Sequence, residues 1–156
     1  MTSKVLIAID DSENAMRAVE FVARFVTKDH AITLMSVVPD TSAISQLGSA
    51  AEIPHIRTRL DVFFALEEQK KANVKNALQK ARDLLLQAGF AQNKVAVKLE
   101  TEKKNVAKDI IDEAHNGYDI IVMGRRGLSG LKEFVLGSVS HKVLHAAKGL
   151  AVVVVD

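Results

Sequence analysis

The hydrophobic positions of this chain change period repeatedly along its length. Val5 to Ile9 is a short apolar run closed by Asp10-Asp11-Ser12. A stripe with helical spacing follows at Ala15, Met16, Val19, Val22, Ala23 and Val26, and Ser12 is its N-cap candidate. Ala31 to Val38 is a second apolar run, stopped by Pro39. Asp40 to Pro54 is polar, Ser-rich and weakly patterned, and reads as a loop or a short helix. From about Arg59 to Ala88, the positions Leu60, Phe63, Phe64, Val74, Leu78, Ala81, Leu84 and Leu85 fit one long helix, with Gly89 as its stop. Its charged run Glu67-Glu68-Gln69-Lys70-Lys71 reads as a solvent face. Lys94 to Glu100 alternates, with Val95, Val97 and Leu99 on one side. Asn105 can cap a helix carrying Val106, Ile110, Ile111 and Ala114, ended by Gly117. A strand over Ile120–Met123, a helix over Ser138–Ala147 and a strand over Ala151–Val155 complete the chain.

Five strands alternating with helices predict an α/β fold, a parallel sheet covered on both faces. Val5–Ile9 and Ile120–Met123 are apolar throughout, as central parallel strands are. The lysine-bearing Lys94–Glu100 suits one edge. Ala151–Val155 falls at the other, and a wholly apolar edge needs a cover. No repeat or linker interrupts the pattern, so residues 1–156 read as one domain.

Composition removes several function classes. The chain has 156 residues, 48% hydrophobic and 26% charged, enough to bury roughly 70% of its unfolded surface. A net charge of +2 lacks the footprint of a polyanion binder, and one Tyr, six Phe and no Trp offer few stacking platforms. No nucleic-acid partner is expected. The absence of cysteine excludes disulfides, thiolate catalysis and Cys-ligated zinc. No apolar run approaches the ~20 residues of a membrane span. The apolar stretch ahead of Asp10 is too short for a signal peptide, so a cytoplasmic protein is expected.

The chemistry concentrates in Gly124–Ser138, GRRGLSGLKEFVLGS. Glycines between a buried strand and a helix start let backbone N–H groups approach an anion, and the helix end adds partial positive charge. The spacing is Gly124, two residues, Gly127, nine residues, Gly137-Ser138. It is neither a Walker A loop, which needs a Lys after its last Gly, nor GxGxxG.

On this spacing, and on Asp10-Asp11-Ser12-Glu13 after the first strand, the chain resembles the universal stress proteins of the ATP-binding subgroup. The resemblance implies a Rossmann-like open sheet of order 3-2-1-4-5, with the switch point between strands 1 and 4. It implies ATP as ligand, with Mg²⁺. By position, Asp10 meets the ribose or adenine side and Val37 contacts adenine. Met123 and Gly124 line the ribose and phosphate entrance. Gly127, Gly137, Ser138, Val139 and Ser140 surround the phosphates. Arg125 and Arg126 either favour a triphosphate or are a solvated loop. The resemblance also implies a homodimer through Ala151–Val155, as the bare edge does on its own.

Other chemistries are weaker. Asp10-Asp11 could contact Mg²⁺ through a nucleotide, or simply stabilise a helix start. His141 and His145 share a helix face as HKVLH, without the HExxH pattern, and read as structural or solvated. No Ser–His–Asp arrangement and no SGGxDS loop is present. The reading is an ATP-binding stress-response regulator, a nucleotide-dependent switch with little hydrolysis and unidentified protein partners. The alternatives are a slow ATPase or phosphotransferase that uses Ser138 or Ser140 as phosphoacceptor, and a dimer without a ligand.

Overall fold

A computed structural model describes residues 2–50, 54–126 and 136–156, and for residues 47–50 the backbone only. In chain order the elements are β1 (Lys4–Ala8), α1 (Glu13–Phe25), β2 (Ala31–Val38), α2 (Ser42–Ala50), α3 (Pro54–Gln87), a 3₁₀ turn (Gln92–Lys94), β3 (Val95–Thr101), α4 (Val106–Ala114), β4 (Ile120–Gly124), α5 (Ser138–Ala146) and β5 (Ala151–Val155). The strands form one parallel sheet in the order β3-β2-β1-β4-β5. Ala8 of β1 lies opposite Met35 of β2 and Met123 of β4.

The alternation of side chains along each strand divides the core in two. Val5 and Ile7 of β1 join Leu34, Val19 and Val22 of α1, and Leu78, Ala81 and Leu85 of α3 on one face. Leu6, Met35, Ile121 and Met123 join Ile110, Ile111 and Ala114 of α4, and Val143 of α5, on the other. Because β1 and β4 are covered on both sides, Val5–Ala8 and Ile120–Met123 are apolar at every position, and the exposed Lys4 only begins β1.

Helix ends follow local chemistry. Ser12 caps α1 by accepting from the Ala15 N–H at 3.2 Å, and Asn105 caps α4 by accepting from the Lys108 N–H at 3.0 Å. The C-terminal turn of α3 is closed by Gly89 at φ +99°, a conformation a β-carbon disfavours. The polar segment after β2 is helical as α2, and α3 starts at Pro54, ahead of the expected start at about Arg59. At 34 residues, α3 is about 50 Å long at a rise of ~1.5 Å per residue. The chain leaves β1 for α1 on one face and β4 for α5 on the other, which opens a crevice between the two strand ends.

Candidate functional site

A cleft of ≈ 280 Å³ occupies that crevice, lined by Ala8, Ile9, Asp10, Ser12, Ala15, Val106, Ile110, Met123, Gly124, Arg126, Gly137, Ser138, Val139 and Ser140. A second hollow shares Ile9, Asp10, Val106 and Ile110 with it, and continues over the end of β2 along Val37, Val38 and Pro39 to Glu67 and Lys71 of α3. Together they make one groove across the carboxyl ends of β4, β1 and β2.

One end of the groove is the start of α5. Its N-cap is Gly137, which makes no side-chain cap bond, and the first turn holds no acidic residue. The starts of α1 and α4 differ in both respects: a Ser or Asn side chain caps each, and Glu13 or Asp109 stands in the first turn. Among the described residues, no side chain caps the first-turn N–H groups of α5, from Ser138, Val139 and Ser140, and such a helix start can receive an outside acceptor. The Gly137 N–H itself donates to the Arg125 carbonyl at 2.9 Å.

Ser140 is 2% exposed, and its hydroxyl lies 2.8 Å from the Arg125 carbonyl oxygen and 3.0 Å from that of Gly137. With a single proton it donates to one of them at a time, tying the α5 start to the end of β4. Its hydroxyl thus holds the rim together, and its backbone N–H belongs to the open turn. A β-carbon on Gly137 would stand 3.3 Å from the Arg125 carbonyl oxygen and from Arg126 Cα, both backbone atoms and closer than side chains ordinarily come. On Gly124 it would stand 2.6 Å from the Asn14 carbonyl carbon. Gly124 is therefore required where β4 meets the first turn of α1, whatever the groove holds.

Asp10 sits at the junction of the two hollows. Its Oδ1 accepts from the Ser12 N–H at 3.0 Å and from the Ser12 hydroxyl. That turn orients the carboxylate and sets the cap of α1. Val37 lines the β2 part of the groove, and Met123 and Arg126 line the β4 part. Arg125 is not among the lining residues: its guanidinium donates to Asp156 at 3.0 Å, and its N–H to the Val155 carbonyl. Gly127 lies outside the described residues. The structure thus brings Asp10, Val37, Met123, Gly124, Arg126, Gly137, Ser138, Val139 and Ser140 to one groove and turns the Arg125 side chain to the β5 end.

Two residues of the charged run in α3 depart from the solvent-face expectation. Glu67 and Lys71 are half-buried and line the β2 hollow. The stripe that carries Phe64, Val74 and Leu78 inward passes through positions 67 and 71 at the same three- and four-residue spacing. That periodicity was the available signal, masked by the charges around it. His141 and His145 stack with ring centroids 4.3 Å apart, and His145 Nδ1 lies 3.1 Å from the His141 carbonyl. Among the described residues, no three His, Asp or Glu side chains gather as metal ligands. No described helix is long and apolar enough to cross a membrane.

This fold and groove have known counterparts. The chain is 31% identical over 144 residues to universal stress protein YxiE of Bacillus subtilis, covering 92% of each. A universal stress protein of Mycolicibacterium smegmatis is 30% identical over 151 residues, 96% of this chain but 47% of that protein, so the chain spans about half its length. The solved structure of MJ0577, a universal stress protein of Methanocaldococcus jannaschii, superposes with a TM-score of 0.70 at 27% identity, over 99% of this chain and 96% of that one. UspA of Lactobacillus plantarum shares the fold at a TM-score of 0.72 and 19% identity, over 99% and 97% of the chains. The model of the universal stress protein family matches residues 1–155, and the chain belongs to that family.

Proposed function

We propose that this chain is an ATP-binding regulatory protein of the cytoplasm, a homodimer whose occupancy by nucleotide, rather than turnover, carries its signal. The observation that carries this reading is the start of α5. It is a helix N-terminus with a glycine cap and no acid in its first turn, and it opens into the switch-point crevice. The N–H groups of Ser138, Val139 and Ser140 and the Arg126 charge suit phosphate oxygens, with Gly127 placed beside them by the resemblance alone. Asp10 and Met123 flank the sugar position, and Val37 gives the base an apolar wall. Mg²⁺ would enter with the phosphates and offset their charge, within reach of Asp10.

Little hydrolysis is expected. The described lining of the phosphate end holds no Lys, Gln or His to place charge or water at a γ-phosphate. The Asp10 carboxylate is engaged by Ser12, and the Ser140 hydroxyl by two carbonyls, which disfavours Ser140 as a phosphoacceptor. The dimer reading rests on β5. It is the last strand of the described sheet and only partly buried, with Val153 and Val155 against one core and Val152 and Val154 against the other. Two copies related by a twofold axis can pair there and close the edge.

The test is the small molecule released when the purified protein is denatured, followed by a steady-state hydrolysis assay. An adenine nucleotide with turnover far below the ~1–100 s⁻¹ of kinases is the expected result. Several turnovers per second, lost in Asp10→Ala, would move the protein to the enzymes. No nucleotide released, and none bound on addition, would leave the ligand-free dimer.

A further inference from the structure

We propose that Glu67 of α3 makes this site select a purine with an amino group at position 6, adenine over hypoxanthine or guanine, which carry a carbonyl there. The inference rests on the nucleotide reading above and concerns the end of the groove away from α5.

That end has a polarity opposite to the phosphate end. Arg126 and the uncapped helix start stand at one extreme. Asp11, Glu67 and Glu68 line the other, against Lys70 and Lys71, with Asp10 at the junction between. Such a groove favours a ligand that is anionic at its tail and a hydrogen-bond donor at its head. Glu67 is half-buried there, its side chain 15% exposed, in a hollow that the apolar Val37 and Val38 also line. Its Oε1 accepts from Lys70 at 2.8 Å, and that lysine is 66% exposed. Among the described residues, Oε2 makes no further bond, so the ion pair anchors the side chain and leaves an acceptor for the groove.

A second group supports the same end. Ser36 is 3% exposed and lines the hollow; no buried side-chain polar atom among the described residues lacks a partner, so its hydroxyl, which makes no bond within the described chain, opens onto the hollow. Ser36 sits on the strand face of Leu34, toward α3, as Glu67 does. A hydroxyl open to the hollow can donate to a purine ring nitrogen.

The chemistry gives the direction of selection. An ionised carboxylate only accepts hydrogen bonds. The amino group of adenine donates to it, whereas the carbonyl of hypoxanthine or guanine at the same place repels it. Sites built on such a bond reject the analogue strongly, because the protein group is left buried and unpaired.

The experiment titrates ATP, ITP and inorganic tripolyphosphate into the nucleotide-free full chain, and into its Glu67→Gln and Glu67→Ala variants, by calorimetry. Gln keeps the helix propensity of Glu, and circular dichroism confirms the fold of both variants. The native chain is expected to prefer ATP to ITP by about tenfold or more. In Glu67→Gln, whose amide can donate to the hypoxanthine carbonyl, the ratio should approach one. Glu67→Ala should narrow it too, and tripolyphosphate binding should be unchanged in both. Equal native affinity for ATP and ITP overturns the proposal and leaves nucleotide binding standing, as does an undiminished preference in both variants. Failure of the native chain to bind ATP or tripolyphosphate overturns the nucleotide reading, and this inference with it.

Discussion

Gly124 shows how a residue can be legible for one reason and required for another. As the first glycine of the spaced motif it points to a ligand, yet a β-carbon there would strike the Asn14 backbone at 2.6 Å. Backbone cannot swing aside as a side-chain tip can. Gly124→Ala is therefore expected to cost about 1–3 kcal/mol, read as a lower denaturant midpoint at unchanged slope. Ser140→Ala removes the hydroxyl that ties α5 to β4 and should cost about 1 kcal/mol by the same measurement. It leaves every backbone N–H of the α5 start in place, so ATP affinity should fall less than stability does. Asp10, Met123 and the α5 start were legible because strand ends and glycine spacing place them. Arg125 and Glu67 were not. The first depends on Asp156, 31 residues away in sequence, and the second on a helix stripe that crosses a charged run.

Among the elements, α1, α4, α5 and all five strands follow from hydrophobic period and caps. The start of α3 does not, since its first turns are exposed and carry no inward stripe. β3 was legible as an edge by its lysine, but the partner of that lysine was not. Lys98 donates to Glu113 of α4 at 2.7 Å and lies 3.4 Å from Glu100. Burial pushes the Glu113 carboxyl up, but the Lys98 ammonium, the Asn116 amide and the Tyr118 hydroxyl outweigh it and hold it below the usual glutamate range. A carboxylate depressed in the folded state adds stability that is complete above its unfolded pKa and is lost as pH falls through the folded one. The acid limb of the stability curve should thus steepen below the ordinary 4.5. In Lys98→Met that steepening should shrink, measured as chemical-denaturation midpoints across pH 3–7 in the native and variant chains. An unchanged acid limb would show that the pair across β3 and α4 contributes nothing.

For the molecule as a whole, the sheet order followed from apolar central strands and from the resemblance, and the structure has that order. The order that the resemblance implied is what places a crevice between β1 and β4. What pattern alone could not show is how near the β5 edge comes to the glycine loop. Gly124 lies opposite Val155, and the Arg125 N–H donates to the Val155 carbonyl at 2.6 Å. The proposed dimer edge and the groove rim therefore share a strand end rather than standing apart. Val153→Lys would put a charge among the partly buried valines and is expected to turn a dimer into a monomer by light scattering at micromolar concentration. A native monomer, or a variant that stays dimeric, would show the edge to be covered some other way. The central claim is that the open start of α5 holds the phosphates of ATP. Its most direct test is calorimetric titration of nucleotide-free protein with ATP and Mg²⁺, beside Gly137→Val, which crowds that start and leaves the core alone. The expected result is saturable binding by the native chain, weakened at least about tenfold in the variant, a loss of about 1.4 kcal/mol or more. Absence of binding by the native chain, or equal affinity in a folded Gly137→Val, would contradict the claim.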